Sequence, residues 1–141
     1  MLKENLFYSP LRPQSALALI RIIVGLFLIF HGLEVFDYEK LKSYTTWDVF
    51  KEYSYPVLMV GLGKGSEFVT GIMLTIGLHT RIASVIIAIT FLYITFFVGK
   101  GKFWYEDQHP FLFVLLAMVF FFIGPGKYSM DHLLFNKKRG E

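Results

Sequence analysis

The chain has 141 residues, 55% of them hydrophobic, with 14 basic and 11 acidic side chains and a net charge of +3. Its mean hydropathy is +0.52. A single soluble domain of this length would leave much apolar area in water, so the composition excludes disorder and favours a membrane protein over a soluble globule. Cysteine is absent, which excludes disulfides, thiol relays, iron–sulfur clusters and Cys-ligated zinc. The basic balance is read as membrane-anchoring charge, so nucleic acid is not an expected partner.

Four apolar segments follow in chain order. The first spans about Ser15 to Leu33, with Pro13 and Ser15 suited to a helix start and Arg21 inside the apolar run. It is longer than a signal-peptide core and no small-residue cleavage site follows it, so it is expected to be retained. The second spans about Tyr55 to Leu78, opens at Pro56, and is interrupted by Lys64 and Glu67. The third, Ile82 to Gly99, has 18 residues and no charge, which is the strongest single membrane signal. The fourth runs from Pro110 to Gly126 and is short, but Trp104 and Tyr105 flank it at the expected interface. Continuous apolar runs of helical length do not fit the alternation of a membrane β-barrel. The expected class is all-α: an integral membrane four-helix bundle in one domain, with helices at about 15–33, 55–78, 82–99 and 110–126.

Basic residues set the expected orientation. Lys3, Arg12, Arg81, Lys127, Lys137, Lys138 and Arg139 fall on one side, against Lys40, Lys42, Lys51, Lys100 and Lys102 on the other. The dense Lys137–Arg139 cluster predicts both termini in the cytoplasm, N-in and C-in. The connection Val35–Ser54 carries Trp47, Phe50 and Tyr53 at intervals of three, which predicts a short surface-lying helix. It would serve as an interfacial anchor or as a lid over an outer site. After the fourth span, Gly124-Pro125-Gly126 stops the helix. Ser129 is placed to cap a short amphipathic helix over Met130–Arg139, with Asp131 in its first turn.

Only Arg21, Lys64 and Glu67 lie inside the spans, where each charge costs at least about 2.5–3.5 kcal/mol and needs a partner or a task. At helical rise Arg21 lies roughly 8 Å deep and Glu67 about 8 Å deeper. The long Arg21 side chain could nearly bridge to Glu67, either as an ion pair fixing helix register or as one wall of a polar pocket. Lys64 shares a helix face with Glu67, three residues on, and could instead reach Glu34. His31, Glu34, Lys64, Trp104, Asp107 and His109 all fall at the outer level. Arg21, His31, Glu34, Lys64, Glu67 and His109 therefore form the candidate buried polar pocket, with the donor and acceptor chemistry of a quinone-headgroup or proton-exchange site. Ordinary interfacial polarity and helix register are the alternative explanation. Two histidines, His31 and His109, are too little to predict a haem or metal site, and none is expected.

The run Gly61-Leu62-Gly63-Lys64-Gly65-Ser66 lacks the spacing and preceding strand of a phosphate loop. Gly61 and Gly65, with Gly71 six residues further along, are expected at a close helix packing surface. The other reading is a loosened helix that exposes carbonyls at membrane depth.

Three pieces of the chain resemble the DoxX family of small four-helix membrane proteins. They are Leu19-Ile20-Arg21-Ile22 with Gly25 and Phe30-His31-Gly32-Leu33; Glu67 with Gly71 leading to Ile76-Gly77-Leu78-His79-Thr80-Arg81; and Gly124-Pro125-Gly126-Lys127-Tyr128-Ser129-Met130-Asp131. The last resembles the family ending G-x-G-[KR]-[YW]-S-[LM]-D. The chain departs from family members that carry a base after H-G-L, since Glu34-Val35 stands there. The resemblance implies a membrane redox association: a quinone-interacting or accessory subunit of a membrane oxidoreductase, or alternatively a non-catalytic assembly or scaffold protein of a larger complex. It implies no intrinsic cofactor, with quinone as the ligand to test. The expected partners are the lipid bilayer, other membrane or redox subunits and further copies of the chain in a homo-oligomer. The expected location is the bacterial inner (cytoplasmic) membrane.

Overall fold

The computed structural model describes residues 11–136. Lys3 and the Lys137–Arg139 cluster, on which the orientation reading rests, lie outside the described residues, as does the end of the predicted C-terminal amphipathic helix. Helix α1 is Pro13–Gly32, and a 3₁₀ turn, Leu33–Phe36, extends it. Two short helices follow, α2 at Tyr38–Tyr44 and α3 at Asp48–Lys51. Helix α4 is Pro56–Ile76, α5 is Thr80–Tyr93 with a π-helical turn at Ile94–Val98, α6 is Gln108–Ile123 and α7 is Met130–Asn136. Among the described residues there is no strand.

Prolines start α1 and α4, where the missing N–H costs nothing. Helix α4 ends at Gly77 in the left-handed conformation, φ 72°. The Gly77 N–H donates to the Leu74 carbonyl and the Leu78 N–H to the Met73 carbonyl, which closes the helix end tightly. His79 is also left-handed, φ 48°, so the chain reverses within Gly77–His79 and α5 starts two residues earlier than predicted. At the other end of the molecule the Asp107 carboxylate accepts from the Lys100 and Lys102 N–H groups, 2.9 Å each. This side chain orders the α5–α6 connection; it does not join a polar pocket.

Three stretches, Pro13–Phe36, Pro56–Ile76 and Thr80–Val98, are long and apolar enough to cross a membrane, and at most a third of each is buried inside the protein. Their outward faces carry side chains such as Phe27, Phe30 and Ile89. The chain is an integral membrane protein whose apolar excess faces lipid. Helix α6 is a shorter apolar helix of 16 residues.

Helix α1 packs most extensively on α4, α4 on α5, and α5 on α6. The α1–α4 crossing is close because Gly25, Gly32 and Gly71 line it. A Cβ on Gly25 would lie 2.7 Å from the Thr75 nitrogen, and one on Gly71 would lie 2.7 Å from the Ile29 nitrogen. Gly61 and Gly65, expected at this surface, instead have ordinary room: the nearest atoms to an added Cβ are Leu41 Cδ1 at 4.0 Å and Val35 Cγ2 at 3.8 Å. Helix α4 also runs unbroken through Gly61, Gly63 and Gly65, so the loosened-helix reading is corrected. The main core joins Leu28, Leu74, Ile87, Ala117 and Phe120, with Phe91 stacked on Phe113 at 4.7 Å.

The predicted surface helix over Val35–Ser54 is two short helices with a second small core beneath them. Phe50 turns inward onto Leu41 and Val60, while Trp47 stays exposed against Tyr44 and Tyr53 hydrogen-bonds Tyr93. The three aromatics do not share one membrane-facing stripe, because the chain breaks between α2 and α3.

Candidate functional site

The structure separates the predicted polar residues into two groups at opposite ends of the bundle. Arg21 does not meet Glu67. It is 1% exposed, its Nη1 donates to the Leu74 carbonyl at 3.1 Å, and its Nη2 donates to the Tyr128 carbonyl at 2.6 Å. Leu74 lies seven residues beyond Glu67 on α4, about 10 Å further along the helix. The depth estimate failed because the guanidinium extends toward the nearer end of α4, where the Leu74 carbonyl, though bonded to the Gly77 N–H, has a second lone pair to offer.

Asp131 supplies the negative charge acting on Arg21. Its two oxygens accept from the backbone N–H groups of His79, 2.6 Å, and Thr80, 2.9 Å. A carboxylate at the start of α5 and a guanidinium at the end of α4 each complement the helix dipole they meet. The Asp131 N–H donates to the Gly77 carbonyl, and a Cβ at Gly77 would collide with the Arg21 guanidinium. Ser129 caps α7 by accepting from the His132 N–H, 3.1 Å, as its position predicted. The Gly124–Asp131 segment therefore ties α1, α4, α5 and α7 together at one end. The Arg21 Nε has no hydrogen-bond partner among the described residues.

The second group lies at the other end. The Lys64 Nζ sits 2.9 Å from Glu34 Oε2 and 3.5 Å from Glu67 Oε2, so both pairings weighed for this lysine occur together. The Tyr44 hydroxyl donates to Glu34 Oε2 at 2.7 Å, and its ring lies 5.3 Å beneath the Lys64 ammonium. Burial, followed by the hydrogen bond to Glu34, pushes the Tyr44 phenol above its ordinary value. Lys40 approaches Glu34 from the exposed side at 3.6 Å. Glu67 is 5% exposed, whereas Lys64 and Glu34 are half-buried. Two carboxylates thus share one half-buried lysine. Tyr44 carried no sequence signal, since it lies ten residues from Glu34 on a different helix.

His31 and His109 meet edge to face with ring centroids 6.3 Å apart. Both are exposed at the outer level, so they border the cluster and do not form part of a buried pocket. Lys64, His109 and Glu34 all act electrostatically on His31. Trp104 is exposed and packs on Phe103 away from this group. Among the described residues no group of three metal-ligating side chains converges.

A family model described as DoxX matches residues 16–100, which takes in α1 to α5 and stops before the closing Gly124–Asp131 segment. A Haemophilus influenzae protein described as uncharacterized is 29% identical over 140 residues, covering 86% of this chain and 92% of that protein. No solved structure matches the chain.

Proposed function

The chain belongs to the DoxX family, and from that premise we propose that it crosses the membrane four times and acts as a quinone-interacting or accessory subunit of a membrane oxidoreductase. Helix α6, about 24 Å long at helical rise, makes the fourth crossing. Contacts of Lys127 with Gln14, and of Arg21 with Tyr128, bring the two ends of the described chain to one end of the bundle, in keeping with an even number of crossings. The basic residues of the two tail sequences support a cytoplasmic location for both termini, in the bacterial inner membrane.

The observation that carries the redox reading is the cluster of Glu34, Lys64 and Glu67. Lys64 is shared between two acids, and the second cation, Lys40, reaches only Glu34 from the exposed side, so Glu67, the more buried acid and the one with the weaker ion pair, is the group best placed to carry an exchangeable proton. Reduction of a quinone to quinol takes up two electrons, which a partner subunit's redox centre must supply, and two protons. The donor set fits a quinone headgroup. Lys64 has three N–H bonds and directs two at carboxylates, which leaves one for a carbonyl oxygen, and the exposed imidazoles of His31 and His109 add further donors at the same level. Glu67 would pass its proton toward the bound oxygen and recover one through Glu34 and Tyr44. In the alternative, an assembly protein, Lys64 and the two acids only hold the outer ends of α1 and α4 together. That reading is favoured by how fully they already satisfy one another.

Purification in mild detergent and extraction of bound quinone tests the proposal. Wild-type protein is expected to retain quinone, and Glu67→Gln to lose it while remaining folded. Quinone-free wild-type protein that shows no titratable binding of added quinone would overturn the redox reading in favour of assembly.

A further inference from the structure

At the end where α4 turns into α5, a cleft of about 410 Å³ lies between the start of α5, the Gly124–Gly126 turn and α7. Its lining combines Arg81, His79 and His132 with the apolar Ile82, Pro125 and Phe135. It lies far from the cluster of Glu34, Lys64 and Glu67, and the proposed redox function does not use it.

The charge of this cleft follows from how its polar groups are already engaged. The acid in its lining is Asp131, and both of its oxygens are held by the His79 and Thr80 N–H groups. Arg81 is exposed, and its guanidinium has no hydrogen-bond or ion-pair partner among the described residues. Thr80 is fully buried, lines the cleft, and its hydroxyl has no partner among the described residues. The site therefore presents an unpaired cation, its carboxylate is engaged by backbone donors, and a buried hydroxyl in its lining lacks a partner. That donor set suits an anion.

Position and rim distinguish a lipid from a soluble anion. The cleft lies at the first turn of the apolar stretch Thr80–Val98, which is the depth at which headgroups meet acyl chains. Ile82 and Phe135, each 56% exposed, line its mouth. Exposed apolar side chains offer nothing to free phosphate, but they offer a surface to the first methylenes of a lipid tail. We propose that this cleft binds the phosphate of an anionic phospholipid, with Arg81 as the principal contact.

The test uses full-length protein in detergent and native mass spectrometry with palmitoyl-oleoyl phosphatidylglycerol, the matching phosphatidylcholine and inorganic phosphate. The wild type is expected to retain phosphatidylglycerol roughly fivefold better than phosphatidylcholine, the effect of one interfacial cation. Arg81→Gln is expected to remove that preference, and Lys42→Gln, an exposed cation at the opposite end, to keep it. Equal loss in both variants, or no preference in the wild type, would overturn the proposal. Inorganic phosphate binding as strongly as the lipid, with the same dependence on Arg81, would assign the cleft to a soluble anion and overturn the lipid assignment.

Discussion

The two ends of the bundle handle buried charge in opposite ways. At one end Arg21 is 1% exposed and fixed by two carbonyls, with Asp131 acting on it electrostatically and itself held by two backbone N–H groups. At the other, Lys64 sits between Glu34 and Glu67, and Lys40 reaches Glu34 from the exposed side, so Glu67 has only a shared lysine at 3.5 Å. The first arrangement sets a cation and an anion each against backbone groups at a helix end, so its natural role is to hold four elements together. The second leaves the buried acid, Glu67, with a single long and shared ion pair, a state in which a proton or a ligand can compete. A buried charge is therefore a poor guide to function until its partners are counted.

Arg21→Ala should break this contrast most severely. It removes two buried charge-assisted hydrogen bonds, leaves the Tyr128 carbonyl without this donor and opens a side-chain-sized cavity, for an expected loss of about 3 kcal/mol. Thermal unfolding in detergent would show a large fall in melting temperature, and an unchanged value would refute the clamp. Gly77→Ala comes next, at about 3 kcal/mol, since it forces an L-residue into the left-handed region and drives a methyl into the guanidinium. Gly63→Ala is the control: nothing lies within 4 Å of its added Cβ, so helix propensity should leave stability equal or raise it by about 0.5–1 kcal/mol. Equal losses in the two glycine variants would show that the turn is not specially built.

Glu67→Gln sharpens the comparison from the other side. It removes the buried, weakly paired charge while keeping shape, so the melting temperature should change by less than about 1 kcal/mol equivalent while quinone retention disappears. A large destabilisation would make the cluster a second clamp. The smallest effect belongs to the exposed connection before α6. There the hydrogen bond from Lys100 holds the Glu106 carboxyl below its ordinary value. Its contribution is complete above the ordinary carboxylate range and fades as pH falls through the lowered folded value. Acid unfolding of Glu106→Gln should be slightly less steep below about pH 4 than that of the wild type. Identical acid profiles would show that this ion pair adds nothing.

The site was legible in part. Lys64 and Glu67 are one helical turn apart on the same helix, so their pairing follows from spacing, and Glu34 was within reach at the same outer level. The Arg21 partners were hidden because they are backbone carbonyls of Leu74 and Tyr128, which carry no residue signature. Asp131 was placed in the first turn of α7, and Ser129 does cap that helix. The carboxylate nonetheless serves α5, more than 50 residues earlier in the chain. Gly25 and Gly32, seven residues apart on one helix face, were a readable packing stripe. The glycine-dense Gly61–Gly65 run drew attention to a surface that has room to spare.

By itself the sequence determined an all-α membrane protein, three apolar stretches long enough to span, the helix starts at Pro13 and Pro56, and which three charges lie inside the spans. These depend on hydrophobic run length, proline geometry and the cost of charge in hydrocarbon, all of which are local. Only the tertiary structure decided which charge meets which group. Helix depth locates a side chain along one axis, but its partner is set by how α1, α4 and α7 approach in the other two. That approach depends on the glycine-lined crossing of α1 and α4 and on backbone groups exposed at helix ends.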